Sequence, residues 1–168
     1  MIRLILAVLL LILAHFAIAA GHDSTTETYL FSKEREGIRL YRKGKYKKAY
    51  KKLYETATWG LKDSQYFLAI MYLKGQHVKQ DIVIGMGLLA VANESKIKQR
   101  VELYDSIYRK LTPAQIQQVD AKVLDYIEKF GMQAKGMKCS KSKDVGSRRP
   151  VVNCQYFKSV IGGSYEID

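Results

Sequence analysis

A chain of 168 residues with 48% hydrophobic and 26% charged side chains has the makeup of one soluble domain, which excludes disorder throughout. Lys and Arg number 28 against 16 Asp and Glu, a formal net charge of +12. Such a charge favours acidic proteins, polyanionic envelope polymers, anionic lipid head groups or nucleic acid, although a surface that only maintains solubility carries it equally well.

The chain opens with "MIRLILAVLLLILAHFAIAA", in which Arg3 precedes an unbroken apolar run from Leu4 to Ala14 and small residues follow at Ala17 and Ala19. This is the three-part layout of a secretory signal over residues 1–20. A retained membrane anchor is the alternative, since the run approaches bilayer-spanning length. Cleavage would remove Arg3 and no acid, leaving 12 − 1 = +11 on an exported body, periplasmic or secreted at a bacterial envelope. Nucleic acid is the least available partner there and is not expected. After the signal, "GHDSTTET" is short and polar, and residues 21–30 read as a flexible lead-in.

Helical periodicity then runs over residues 31–131. A first helix is expected from about Phe31 to Lys43, ending before Gly44. From Tyr46 the apolar positions Tyr46, Ala49, Tyr50, Leu53, Tyr54 and Ala57 fall at i, i+3, i+4, i+7, i+8 and i+11, one helix face. Lys47, Lys48, Lys51 and Lys52 fall on the other, and Trp59 and Gly60 close the segment. The next helix carries Ala69, Met71 and Tyr72 and stops at Gly75. Asp81 stands where an N-cap is needed before Ile82. Tyr41 and Gly44 match Tyr72 and Gly75 at a common offset of 31, the mark of a repeat.

A third pair follows. Ile97, Val101, Tyr104, Tyr108 and Leu111 share a face of a helix from about Ile97 to Lys110. Thr112, Pro113 and Gln115 then form a helix start with a capping box, and that helix runs to Gly131. Three hairpins, none able to bury its face alone, are expected to stack as a short α-solenoid. The small residues Ala69, Gly85, Gly87, Ala90 and Ala92 are read as points of close helix approach, and Tyr41, Tyr72 and Trp59 as packing residues.

Residues 132–168 break the helical period. Cys139 and Cys154 are the only cysteines, and an even count in an oxidising compartment reads as one disulfide. Their midpoint lies between Gly146 and Ser147, so a β-hairpin turning there places the two sulfurs opposite each other. Pro150 confines its strand to a sheet edge. The extension reads either as a stapled cap on the last helix or as a basic prong, in which Arg148 and Arg149 grip carboxylate or phosphate.

No catalytic, cofactor or metal site is expected. Two cysteines without a nearby histidine do not complete a four-ligand zinc site. His22 and His77 sit in neither a serine-centred elbow nor a metal-ligand spacing. Asp63 and Asp81 read as helix caps, and Glu94, Glu102 and Asp105 as solvated faces. A hydrolase acting on cell-wall material is therefore the least favoured reading, and an enzyme is not expected.

The stretch "QYFLAIMYLKGQHVKQD" and the small-residue helix after it resemble a Sel-one-like repeat, with Tyr72, Gly75, Val78 and Asp81 at the family's positions. His77 replaces the second glycine of the family's loop, and Gly85 and Leu88 replace its usual alanine and aromatic residue. The preceding "YRKGKYKKAYKKLYETATWG" is closer to a tetratricopeptide hairpin. The likeness covers Glu34 to Ser95 and implies a scaffold that holds protein partners or peptides on a curved face. The disulfide stapling of each repeat seen in exported members with cell-wall chemistry is missing, since residues 34–131 contain no cysteine. The extension is similar to a Cys…Gly-Ser-Arg…Cys element in other small exported bacterial proteins. The expected function is non-catalytic binding of an acidic protein partner, with Arg148, Arg149, Lys48 and Lys52 as contacts. Binding to an envelope polyanion or an anionic membrane surface is the alternative.

Overall fold

The computed structural model describes residues 23–143, 150–157 and 166–168. The expected export signal, the Gly146–Ser147 turn, Arg148 and Arg149 lie outside these residues. Six helices and a two-stranded antiparallel sheet follow in order: α1 (Asp23–Arg42), α2 (Tyr46–Thr58), α3 (Lys62–Lys74), α4 (Ile82–Asn93), α5 (Lys98–Tyr108), α6 (Pro113–Phe130), β1 (Met137–Lys143) and β2 (Pro150–Tyr156). Among the described residues no helix is long and apolar enough to cross a membrane.

α1 begins at Asp23, ahead of the expected Phe31, so the polar residues read as a flexible lead-in are largely helical. No glycine or proline interrupts residues 23–36, and Leu30 starts a buried stripe that continues through Glu34 and Ile38 at i+4 and i+8. α2 divides as its spacing predicts: Ala49, Leu53 and Ala57 are fully buried, while Lys47, Lys48 and Lys51 are exposed. α4 is apolar on every side and accordingly lies at the centre, packed against α3, α5 and α6. α6 packs along α4 and is tied to α5 by the Tyr108 hydroxyl, which donates to Asp120 at 2.9 Å.

Helix ends follow local chemistry. Asp81 accepts from the Val83 and Ile84 N–H groups, and Thr112 and Gln115 form the expected capping box with Pro113 in the first turn. Gly44 and Gly75 adopt left-handed φ of 70° and 66°. At each, the next N–H reaches back to a carbonyl five residues earlier: Lys45 to Leu40 and Gln76 to Met71. The two helices therefore close in the same way at the offset of 31 (75 − 44).

The small residues mark close approaches. A Cβ on Gly85 would lie 2.7 Å from Leu73 Cγ on α3, and one on Gly87 2.9 Å from Lys122 and from the Tyr126 ring on α6. α4 thus touches two neighbours through two glycines separated only by Met86. Gly37 does the same between α1 and α2, where a Cβ would meet Leu53 at 2.9 Å. Tyr41 and Tyr72 are packing residues, as expected: Tyr41 lies against Tyr46 and Phe67, and Tyr72 meets the Tyr50 hydroxyl.

Cys139 stands directly opposite Cys154 in the strand register, and the two form a disulfide. Such a bond fits an oxidising compartment. Pro150 begins β2 in a sheet of two strands, where both are edges. The hairpin rests on the helices: the Tyr156 hydroxyl donates to the Trp59 carbonyl at 2.7 Å, and the Tyr156 ring lies 6.2 Å from Phe31.

Candidate functional site

The exposed cations concentrate along α1 and α2. Arg35, Arg39 and Arg42 are spaced i, i+4 and i+7 on one face of α1, and Lys43 follows in the turn. With Ile38 they line an open groove of about 460 Å³. All four are exposed, and Arg39 reaches Glu36 only at 3.9 Å. Lys45, Lys47 and Lys48 border an adjoining depression of about 580 Å³ with Tyr46 and His77. His77 is an exposed loop residue whose ring lies against Tyr50.

Of the residues expected to contact a partner, Lys48 therefore lies in the basic surface. Lys52 is half-buried and its ammonium is held at 2.7 Å by Glu36 on α1, so it joins two helices more than it faces outward. Arg35, Arg39 and Arg42 were not singled out from the sequence, although their helical spacing was there to be read. A second groove, about 480 Å³, runs between the start of α5 and the hairpin and includes Lys96, Lys98, Arg100 and Lys141.

Inside, ionisable groups join the helices. Glu34 of α1 accepts from the Ser64 N–H at 2.8 Å and from its hydroxyl at 3.0 Å. It thereby caps α3, whose preceding residue Leu61 has no side chain able to do so. Burial first, then the nearby Asp63 carboxylate, pushes the Glu34 pKa up to about 7, against the hydrogen bonds from Ser64 and the charge of Arg100. Lys62 is 3% exposed and bonds to Glu94 at 2.8 Å, Gln65 at 3.1 Å and the Phe130 carbonyl at 3.4 Å. Burial pulls its pKa down to about 8, opposed by Glu94. Glu94, expected on a solvated face, instead holds both Lys62 and the Met132 N–H. Asp63, expected as a cap, sits in the first turn of α3 and pairs with Arg100.

Glu34 also borders a groove of about 580 Å³ between α1 and β2, with Phe31, Arg35, Asn153 and Tyr156. Its carboxyl could exchange a proton near neutral pH, but its hydroxyl neighbour Ser64 is wholly buried and bonded to Thr56, out of reach of a substrate. Among the described residues no three His, Cys, Asp or Glu side chains converge as metal ligands do. The basic groove of α1 is thus the surface whose chemistry selects a class of ligand: guanidinium groups in a row offer paired donors to carboxylates or phosphates. No protein family model, no curated protein and no solved structure matches this chain.

Proposed function

We propose that this is a non-catalytic helical repeat protein of the cell envelope that holds an acidic protein partner on the basic face of α1 and α2. The observation carrying this reading is the row Arg35, Arg39, Arg42 and Lys43, four exposed cations along one groove with the apolar floor of Ile38. Long-range attraction from a net charge of +11 (12 − 1, without Arg3 of the export signal) steers an acidic partner in, and guanidinium pairs then fix its orientation. The matched closure of α1 and α3 supports a repeat of the Sel-one-like kind and its stacking as a short curved solenoid. The disulfide supports export.

Affinity capture from envelope extract at low and high salt, with Arg35→Glu/Arg39→Glu as the comparison, tests the proposal. A protein retained by the parent at high salt and lost with the double variant is expected. Recovery of lipid or polymer alone, released by salt, would replace the adaptor with an envelope-surface binder. The same capture with Arg148→Glu/Arg149→Glu tests whether the hairpin adds to the contact.

A further inference from the structure

The outer side of α6 departs from the rest of the surface. Val119, Tyr126 and Phe130 are buried on its inner side, whereas Leu124 is 70% and Ile127 41% exposed, the only two large apolar side chains left in water on one helix among the described residues. Acids flank them. Asp120, Leu124 and Glu128 follow at i, i+4 and i+8 and form one ridge about 12 Å long. Asp125 is tied to Lys129 at 2.8 Å, but Glu128 enters no ion pair among the described residues. Asp120 accepts only from the Tyr108 hydroxyl, at 2.9 and 3.1 Å, which leaves its carboxylate capacity for a further donor. Lysine and arginine outnumber the acids 28 to 16 in the chain, yet none is among the exposed residues of α6.

The basic groove of α1 has the complementary form. Arg35 and Arg39, continued by Lys43 in the turn, make one i, i+4 row, and Ile38 and Arg42 make the next, so the groove is the furrow between two rows. All of its lining comes from α1 and its end, and no second element closes it. Helices pack by seating a ridge of one in such a furrow of another. The span from Arg35 to Arg42 is about 10 Å along the axis, close to that of the acidic ridge. α1 packs on α2 and α3 and α6 on α4, which leaves the outer faces of the first and last helices uncovered.

We propose that copies of this protein associate head to tail, with the ridge Asp120, Leu124 and Glu128 on α6 of one copy seated in the α1 furrow of the next. Leu124 meets the apolar floor at Ile38 and the aliphatic stems of the arginines, and the two acids reach guanidinium groups on either side of it. Like charges oppose both symmetric alternatives, α1 on α1 and α6 on α6. The contact is therefore heterologous, and it extends into short chains unless its rotation closes a ring. A single pair of helices is a small interface, so association is weak, half-complete at about 0.1 mM. The inference rests on the reading of the α1 face as a seat for acidic partners, whereas the α6 ridge is independent of it.

Sedimentation velocity of the oxidised protein lacking the export signal, from about 10 μM to about 1 mM at low salt, tests it. The average mass should rise with concentration, and added salt should reverse the rise. Leu124→Ser, at an exposed position, should weaken association about tenfold. Asp120→Lys/Glu128→Lys and Arg35→Glu/Arg39→Glu should each stay monomeric alone. Their equimolar mixture should associate, because the acidic α6 of the second variant then meets the basic α1 of the first. A parent that is monomeric throughout, a mixture that does not associate, or association unmoved by Leu124→Ser would overturn the inference. Each variant is compared only if it keeps the parent's cooperative melt, and Asp120→Asn/Glu128→Gln, expected to weaken self-association, stands in for the lysine pair if that pair does not. Capture from envelope extract separates the two readings, since Asp120→Lys/Glu128→Lys leaves α1 intact. Capture of an acidic protein by a parent that does not self-associate would sink this inference alone; self-association without capture would uphold it and sink the adaptor.

Discussion

Replacing Glu34 by glutamine isolates one proton in the interior. The side chain is 8% exposed, and its pKa rises from an ordinary value of 4.5 to about 7, chiefly through burial. Between these values the unfolded chain has released the proton while the folded chain keeps it. Raising the pH therefore favours unfolding across this window. The Glu34 contribution is fully present below pH 4.5 and is lost as pH passes 7. At about 1.4 kcal/mol per pH unit, the gap of about 2.5 (7 − 4.5) corresponds to about 3 kcal/mol lost by pH 8. Glutamine carries no proton to release, and its side-chain oxygen can still accept from Ser64. Denaturant unfolding of parent and Glu34→Gln from pH 4 to pH 8 at fixed ionic strength should give similar stabilities at the acid end. Toward pH 8 the variant should become the more stable by about 2–3 kcal/mol. Subtracting one profile from the other removes the remaining titrating groups. A difference that does not change with pH would refute the assignment of a buried, proton-holding Glu34.

Two further outcomes follow from the packing. Gly87→Leu forces a side chain into the 2.9 Å gap before the fully buried Tyr126 ring, and should lower stability by about 1–3 kcal/mol; a melting temperature equal to the parent's would contradict the close approach of α4 and α6. Cys139→Ser/Cys154→Ser opens a loop with a sequence separation of 15 and should weaken the hairpin by about 3 kcal/mol. Hydrogen exchange should quicken in β1 and β2 more than in the core of α4, and equal change in both would show the staple to act on the whole fold.

Helix ends were legible because capping is local. Asp81, Thr112, Pro113, Gln115 and the left-handed Gly44 and Gly75 act within one turn of their own position, and the structure has them where spacing indicates. The cysteines were legible for a similar reason, since pairing across a hairpin depends only on its midpoint. Glu94 escaped because its partner Lys62 is 32 residues away, and a carboxylate on a helix end looks solvated until the neighbouring helix is in place. Glu34 escaped likewise: a charged residue in a periodic helix gives no sign that it caps another helix 30 residues on.

By itself, then, the sequence determined the helical character of residues 31–131, the caps at Asp81 and Thr112, the closures at Gly44 and Gly75 and the disulfide, since each follows from the conformational preferences of neighbouring residues or from periodicity on one face, while the start of α1 at Asp23 and the neighbours of Gly85 and Gly87 came from the fold. Only the tertiary structure decided where the cations point, with Lys52 held at 2.7 Å by Glu36 while Arg35, Arg39 and Arg42 face a groove. It alone brought Tyr54, Lys122 and Tyr126 around residues 166–168. Both outcomes depend on which distant groups satisfy one another once water is excluded, and a donor's need for a partner is local while the partner's identity is not.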